Sequence, residues 1–312
     1  MDVIARSAGK FSDPECTLAG DPRAYVPFER LDTLWLNTGT LCNLACGNCY
    51  IESSPINDRL SYLTRTDVAT FLEEVKTYRL PVQAIGLTGG EPFMNPLILE
   101  ILEDCLGTGA SILVLTDAMR PMMKLRDGLC RLLNQFGTQL QFRVSIDHYS
   151  QEFHKDERGP RSWKGAIQGL SWLCDQGFNV TVAGRRRWED REDVLRSGFE
   201  QLFTSLGLPL DARDSSQLIL FPEMDLNAEV PEISTACWQA LGVNPQDMMC
   251  ANSRMVVRRR GSETAEVVSC TLLPHDEGFS MGQSLRESMR SISLNHPHCA
   301  RFCVLGGGSC SG

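Results

Sequence analysis

The chain has 312 residues, of which 42% are hydrophobic and 22% are charged, and it carries a net charge of −9 and 13 cysteines. This composition excludes a disordered chain, a coiled coil and a collagen-like repeat. A chain of this length can bury a hydrophobic core that is stable without disulfide bonds. The acidic balance argues against non-specific binding to nucleic acid, and the sequence lacks the run of 18 apolar residues that a membrane span requires.

Residues 1–10 lack the apolar centre of a secretory signal peptide, so we expect a cytoplasmic protein with neither nucleic-acid nor membrane partners. In a reducing compartment, cysteines are more often free thiols, metal ligands or catalytic groups than members of disulfides. The positions of the cysteines are therefore the feature of this sequence that most needs an explanation.

Strands and helices alternate between residues 31 and 222, after a lead-in of residues 1–30 with little periodicity. The predicted strands are 31–37, 82–87, 111–115, 140–146, 178–183 and 217–221, and the predicted helices are 66–78 (N-cap Thr66), 96–106, 122–136, 163–176 and 191–206. Such alternation predicts an α/β fold with a parallel sheet, curled into a partial (β/α)6 barrel of the TIM type. In barrels of this kind, the chemistry lies at the carboxyl ends of the strands.

The pattern changes after residue 222. Residues 223–312 are rich in cysteine and glycine, with brief strand signals at 255–258 and 265–269 around Gly261. We therefore predict three parts: the lead-in, a barrel over residues 31–222 and a small cysteine-rich auxiliary domain over residues 223–312.

Three cysteines lie together in the loop after the first predicted strand. Cys42, Cys46 and Cys49 have the spacing C-x3-C-x2-C, so their thiolates can converge on a single centre. A structural zinc site needs four ligands, and no fourth cysteine or histidine lies near. Three thiolates instead fit a 4Fe–4S cluster whose fourth iron stays open to a ligand.

This triplet, followed about 40 residues later by Gly89-Gly90-Glu91-Pro92, resembles the radical S-adenosylmethionine (SAM) superfamily. The resemblance covers roughly residues 32–222. It implies a 4Fe–4S cluster that binds SAM, reductive cleavage of SAM to a 5′-deoxyadenosyl radical, and hydrogen abstraction from a substrate. It also implies an electron donor such as flavodoxin or ferredoxin. Members often have an aromatic residue before the third cysteine; here that residue is Asn48, and we assign Tyr50 to the cofactor site instead.

The resemblance also implies how SAM is held at the second strand end. The backbone of Gly89 and Gly90 approaches the SAM ammonium group closely, because glycine lacks a side chain, and Glu91 places a carboxylate near that cation. The alternative interpretation of these residues on their own is an ordinary tight turn.

A second set of SAM contacts is expected after the fourth strand. Strand alternation turns Ser145 and Asp147 to the same face. Residues 144–158 are similar to the corresponding stretch of peptide-modifying radical SAM enzymes, in which a serine and a downstream arginine hold the SAM carboxylate. This similarity implies those roles for Ser145 and Arg158; a strand-end cap and a surface arginine are the alternative.

Several polar residues are weaker candidates near the same mouth. Thr88, Thr116 and Asp117 follow strand ends and could contact ribose or substrate. His148 and His154 either move a proton or lie on the surface. The runs 185–187 and 258–260 are all arginine and either bind an acidic substrate or phosphate or form solvated surface charge. We assign no catalytic residue.

Five cysteines crowd the last fifth of the chain and resemble the auxiliary-cluster extensions called SPASM and twitch domains. The resemblance implies one auxiliary 4Fe–4S cluster with four ligands and one spare among Cys250, Cys270, Cys299, Cys303 and Cys310. A zinc site or free thiols are the alternative. Of the remaining cysteines, Cys105, Cys130 and Cys174 are interpreted as buried apolar side chains, and Cys16 and Cys237 as structural.

The leading hypothesis is thus a radical SAM oxidoreductase or transferase that acts on a peptide, a protein or a peptide-like natural product. A small-molecule dehydrogenase or rearrangement enzyme of the same superfamily is the second. A non-catalytic protein that binds iron–sulfur clusters or zinc is the third and belongs to another functional class.

Overall fold

The fold is known from a computed structural model of the chain, which describes residues 9–187, 190–223 and 229–308. The strands are β1 Tyr25–Val26, β2 Thr33–Asn37, β3 Ala84–Thr88, β4 Ser111–Thr116, β5 Leu140–Ser145, β6 Asn179–Arg186, β7 Leu218–Pro222, β8 Ser253–Val257, β9 Glu266–Val268 and β10 Ile292–Ser293. The helices are α1 Arg65–Thr77, α2 Ile98–Leu106, α3 Arg120–Met123, α4 Arg126–Phe136, α5 Gln151–Arg158, α6 Ser162–Asp175, α7 Glu192–Leu206 and α8 Ala236–Leu241. A π-helical segment covers Cys299–Leu305.

Within the described residues, eight strands form one sheet in the order β7-β6-β5-β4-β3-β2-β8-β9. Neighbours from β2 to β7 are parallel and follow each other in the chain. This arrangement confirms the predicted α/β fold with a partial (β/α)6 barrel. Because the strands are parallel, their carboxyl ends meet at one mouth.

Burial explains why these segments form strands and helices. The middle of β4, Ile112 to Val114, is apolar and buried, as expected for a strand covered on both faces. On α2 the buried residues Ile98, Ile101, Leu102 and Cys105 follow helical spacing and pack on the sheet.

The first helix begins earlier than predicted. Its N-cap is Thr64, not Thr66, because Thr64 and Asp67 form a reciprocal capping box. Helices α5 and α8 were not predicted, since both are short and α5 is mostly polar.

The C-terminal region continues the barrel sheet. Strand β8 lies parallel to β2, with Leu34 opposite Arg254, and β9 pairs antiparallel with β8. The lead-in also packs against this region, since β1 pairs antiparallel with β10. The boundary predicted at residue 222 therefore does not divide the sheet, although the predicted hairpin around Gly261 is present.

One hydrophobic core extends from Phe11 to Val304. Cys105 is fully buried in it, whereas Cys130 and Cys174 are only half-buried. None of the helices in the described parts of the chain is long and apolar enough to cross a bilayer.

Candidate active site

A cavity opens at the carboxyl ends of the barrel strands. The three cysteines of the triplet line it, together with most of the predicted cofactor residues: Tyr50, Gly89, Gly90, Ser145, Asp147 and Arg158. The sequence motifs from three different loops are thus brought to one place by the parallel sheet.

The cysteine loop is held by its own backbone. The amide of Leu44 donates to Sγ of Cys42 at 3.4 Å, and the amide of Ser53 donates to Sγ of Cys49 at 3.3 Å. Burial raises the pKa of the Cys46 thiol to about 11 and also raises that of Cys42. A metal centre that binds here therefore displaces protons from these thiols.

The two glycines bring two backbone segments into close contact. A Cβ atom on Gly90 would lie 2.2 Å from the carbonyl oxygen of Leu41, and one on Gly89 would lie 2.4 Å from that of Gly39. The amide of Gly90 donates to the Gly39 carbonyl at 2.8 Å. The absence of side chains thus allows the end of β3 to pack on the loop that carries the cysteines, and Gly89 also has a positive φ of +132°.

The position of Glu91 differs from the expectation. Its carboxylate does not line the cavity but lies behind it, where it accepts hydrogen bonds from Oγ1 of Thr116 at 2.9 Å and from the amide of Asp117 at 2.9 Å. Burial, followed by the neighbouring Asp117, raises the pKa of Glu91 well above its ordinary value. Glu91 therefore joins the ends of β3 and β4, and its contact with the SAM ammonium group stays a prediction.

Asp147 and two arginines form an ion-pair cluster in the cavity wall. Nε of Arg158 lies 2.5 Å from Oδ2 of Asp147, and Nε of Arg185 lies 3.4 Å from Oδ1. Burial opposes the charge on Asp147, yet the two guanidinium groups lower the pKa of that carboxyl. Asp147 is therefore ionised at neutral pH and fixes the orientation of Arg158.

Glu157 links helix α5 to the cysteine loop. Its side chain accepts from the amide of Asn48 at 2.9 Å and pairs with Arg187 at 2.6 Å, and its carbonyl accepts from the amide of Gly47 at 2.9 Å. Arg185 donates to the Asn48 carbonyl at 3.1 Å. Sequence reasoning missed Glu157, because a glutamate in a polar helix gives no signal of its burial.

Both histidines after Asp147 are fully buried, so the predicted surface alternative is wrong. His148 lies 3.1 Å from Oδ2 of Asp190 and accepts from the amide of Ser150 at Nδ1. His154 packs on the Trp163 ring, and neither of its ring nitrogens has a hydrogen-bond partner among the described residues. Burial lowers the pKa of His154 to about 4. Neither histidine lines the cavity.

The weaker candidates separate into two groups. Thr88, Thr116, Asp117 and Arg185 all line the cavity, and so does Arg143, which sequence reasoning missed. Strand alternation could have found Arg143, since it lies two residues before Ser145 and so shares its face.

The second arginine run lies outside the cavity. Arg258, Arg259 and Arg260 pair with Asp67, Glu266 and Asp58 respectively. This agrees with surface charge, the alternative interpretation of that run. For Arg185, by contrast, the position in the cavity wall favours the functional interpretation.

A second cavity collects four of the five C-terminal cysteines. Cys250, Cys270, Cys299 and Cys303 line it, with a mainly apolar surround that includes Met249. Burial, with the neighbouring thiol of Cys270, raises the pKa of Cys250 to about 12. The fifth predicted ligand, Cys310, lies outside the described residues.

Comparison with known proteins identifies the family. Residues 36–196 match the family model of the Radical SAM superfamily. The chain is 28% identical over 144 residues to the antilisterial bacteriocin subtilosin biosynthesis protein AlbA of Bacillus subtilis (strain 168), which covers 46% of this chain and 30% of that protein. It is also 28% identical over 159 residues to GTP 3′,8-cyclase of Microcystis aeruginosa (strain NIES-843 / IAM M-2473), covering 48% of this chain and 46% of the cyclase. The matches thus span less than half the length of either curated relative.

Solved structures show the same fold. Streptococcus suis SuiB bound to S-adenosylmethionine superimposes with a TM-score of 0.59 and 11% identity over 81% of this chain and 63% of SuiB. The enzyme anSMEcpe with bound AdoMet superimposes with a TM-score of 0.59 and 12% identity over 86% of this chain and 82% of that protein. The family match covers half of the chain and includes the cysteine triplet, so the chain belongs to the radical SAM superfamily, whose enzymes use a 4Fe–4S cluster and SAM.

Proposed function

We propose that this protein is a radical SAM enzyme with an auxiliary 4Fe–4S cluster that modifies a peptide or a peptide-like natural product. The observation that carries the proposal is the sorting of seven cysteines into two separate cavities. Three line the mouth of the barrel and four line the cavity beside β8 and β9. The group of three would leave one iron of a cluster free for SAM, and the group of four would provide all the ligands of a second cluster.

At the barrel mouth, Cys42, Cys46 and Cys49 would hold the SAM-binding cluster. When bound, this cluster and SAM supply a carbon radical that removes a hydrogen atom from the substrate. The cavity wall then has three tasks: to bind SAM, to orient it and to exclude water. Ser145 and Arg158 both line the cavity, which supports their assignment to the SAM carboxylate.

The ion pairs of the wall hold Arg158 in place before SAM binds. Asp147 contacts Arg158 and Arg185 together, so it fixes the guanidinium plane that a carboxylate ligand needs. Gly89 and Gly90 line the mouth with backbone, and Tyr50 follows the third cysteine of the triplet in the same lining, which supports its assignment to the cofactor site.

The four-cysteine cavity fits a cluster better than a single zinc ion. In a zinc site, four thiolates lie about 2.3 Å from one ion and therefore close to one another. Among the described residues, no three cysteine, histidine or carboxylate side chains converge closely enough to hold one metal ion. Four thiols that share one cavity without converging on a single point favour a cubane. The zinc-binding alternative predicts instead that purified protein contains zinc without iron.

A basic groove beside the cysteine loop is where we place the electron donor. The groove consists of two pockets that share Pro160 and Arg161, and Leu44 and Ala45 of the cysteine loop line one of them. Apart from Arg158, which pairs with Asp147, the lining contains five cations: Arg120, Lys124, Lys155, Arg161 and Lys164. None of the five pairs with a carboxylate of a described residue, and no carboxylate lines the groove. On a chain of net charge −9, such a surface favours an acidic electron-transfer protein of the flavodoxin or ferredoxin type.

Charge reversal tests the groove. We expect Arg120→Glu/Lys124→Glu to slow reduction by an acidic flavodoxin more than tenfold at low salt, while reduction by dithionite is unchanged. Lys76→Glu/Arg79→Glu, a double reversal on exposed side chains at the end of α1 and outside the groove, is the matched control. Equal rates with flavodoxin in both variants would place the donor elsewhere.

The peptide substrate is proposed from the relatives. AlbA is named for biosynthesis of the bacteriocin subtilosin, and a solved SuiB structure contains the precursor peptide SuiA. The similarity to GTP 3′,8-cyclase favours a second candidate, an anionic small molecule. Arg143 and Arg185 in the cavity wall would suit such a substrate.

Anaerobic reconstitution tests the central proposal. We expect about eight irons per chain, four for each cubane, and reductive cleavage of SAM to 5′-deoxyadenosine. Cys42→Ala should retain about four irons and lose cleavage, whereas Cys130→Ala, outside both cavities, should change neither. Clusters without cleavage by any reductant would favour the non-catalytic alternative, and fewer than four irons would exclude both clusters together.

A further inference from the structure

A buried arginine lies directly beside the four-cysteine cavity. Arg254, in β8, is only 1% exposed, and its guanidinium stacks on the ring of Phe28 at 4.6 Å. It donates hydrogen bonds to the backbone carbonyls of Cys250 at 2.7 Å, Ser288 at 2.9 Å and Arg290 at 2.9 Å. These bonds fix the position of the positive charge but do not neutralise it.

No carboxylate of a described residue lies within ion-pair distance of Arg254. A comparison within the same molecule shows that this is not a general property of its buried arginines. The side chain of Arg23 is also only 1% exposed, and it pairs with Glu232 at 2.6 Å. Because a buried charge without a counter-ion is costly, the fold is expected to provide an anion near Arg254.

The neighbouring cavity is the place where negative charge can arise. The Cys250 carbonyl accepts a hydrogen bond from Arg254, which places the guanidinium next to a residue that lines the cavity. Cysteines ligate metals as thiolates. Four thiolates outweigh the positive charge of an iron–sulfur core, so a cluster held by Cys250, Cys270, Cys299 and Cys303 is a net anion.

We propose that Arg254 is the built-in counter-cation of the auxiliary centre and sets its reduction potential. The inference rests on the auxiliary cluster of the proposed function. An electron added to an anionic cluster increases its negative charge, and a fixed guanidinium in a poorly solvated site stabilises the reduced form. Arg254 therefore shifts the potential of the auxiliary cluster to a more positive value. It is a positioning and tuning residue, since it bonds to backbone carbonyls and is not among the residues that line either cavity.

The test separates the charge of Arg254 from its hydrogen bonds. Arg254→Lys keeps the charge but loses part of the bonding to the carbonyls, whereas Arg254→Gln keeps amide donors but loses the charge. Both are made in the full chain with the triplet cysteines replaced by alanine, so that the auxiliary centre is the only cluster. Iron content and the midpoint potential, followed by electron paramagnetic resonance, are the readouts.

We expect Arg254→Lys to resemble the parent protein. In Arg254→Gln the equilibrium constant for reduction should fall about tenfold, which is a negative shift of about 59 mV for a one-electron couple. Loss of the cluster in the glutamine variant alone would also support the proposal. The control is Arg258→Gln, because Arg258 follows the same strand but pairs with Asp67; it should leave the potential unchanged.

Two results would overturn the inference. The first is an equal reduction potential in Arg254→Lys and Arg254→Gln. The second is loss of the cluster in both variants, because the charge retained by lysine should be enough to keep the cluster bound. A parent protein that loads no iron would instead refute the auxiliary cluster itself, which is a failure of the proposed function and is recognised before any variant is compared.

Discussion

The contact between the glycine motif and the cysteine loop gives a sharp prediction for Gly90→Ala. The new Cβ would lie 2.2 Å from the Leu41 carbonyl oxygen, whereas ordinary contact begins near 3.4 Å. The two segments must therefore separate by about 1 Å. The atoms that the new Cβ would meet, in Leu41 and Thr40, all belong to the backbone, so no flexible side chain can move aside.

The magnitude follows from two terms. Overpacking against a rigid neighbour costs about 1–3 kcal/mol. The separation also stretches the hydrogen bonds from the amides of Gly90 and Glu91 to the Gly39 and Leu41 carbonyls, at 2.8 and 3.1 Å, each worth about 1 kcal/mol. We expect Gly90→Ala to lower the free energy of unfolding by about 3–5 kcal/mol and to reduce iron retention by the triplet.

Urea denaturation of the apoprotein and iron analysis after anaerobic reconstitution measure the two effects. Gly107→Ala is the matched control, because its Cβ would meet only carbonyl oxygens at 3.4 Å and its φ is −62°. We expect that control to change stability by less than about 1 kcal/mol. A Gly90→Ala protein as stable as the control, with full iron content, would refute the close-contact argument.

Three further predictions concern charged and titratable groups around the barrel mouth. Asp147→Asn leaves Arg158 without its carboxylate, so we expect unfolding free energy to fall by about 3–5 kcal/mol in urea denaturation and SAM to bind more weakly in calorimetry. Burial lowers the pKa of His154 from 6.5 to about 4, so the unfolded chain takes up this proton first and stability falls as the pH drops from 6.5 towards 4. His154→Phe should remove that part of the acid dependence of thermal unfolding. Burial and Asp117 raise the pKa of Glu91 above 4.5, so the folded state keeps this proton at a pH where the unfolded chain has lost it. The contribution of Glu91 to the free energy of unfolding therefore falls as the pH rises above 4.5, and Glu91→Gln should reduce this dependence of stability on pH.

Each of these has a contrary outcome. Asp127→Asn, on an exposed pair with Arg126 at 3.7 Å, is the control for the first, and an equally small effect at Asp147 would contradict the role of the buried pair. An unchanged pH profile in the His154 or Glu91 variant would assign the corresponding slope to other groups.

The strand order of the barrel could be predicted because its strands are short apolar runs separated by amphipathic helices. Leu34 to Leu36 and Ile112 to Val114 are buried on a sheet covered by helices, so their hydrophobicity is visible without any knowledge of the fold. The cysteine triplet and Gly89-Gly90 were visible for a different reason: their residue types and spacing are rare in loops that lack a ligand.

The polar interior of the barrel could not be predicted in the same way. Arg143, Glu157 and His154 are buried, yet their types normally indicate the surface. Their burial depends on partners brought by distant segments, such as the Asn48 amide for Glu157. The hydrogen bonds of Glu91 could not be predicted for a related reason, since its position in the motif did not reveal that its carboxylate accepts from the end of β4.

The pairing of β2 with β8 has a consequence for how this protein is made. Strand β2, Thr33–Asn37, pairs on one side with β8, Ser253–Val257. A ribosome adds about 5–20 residues per second, so roughly ten to forty seconds pass between the synthesis of these two strands. During that interval one side of the nascent strand offers unsatisfied backbone groups to any other chain. Holding chaperones are therefore expected to bind the growing polypeptide, and prematurely terminated chains that end before residue 253 should accumulate in inclusion bodies.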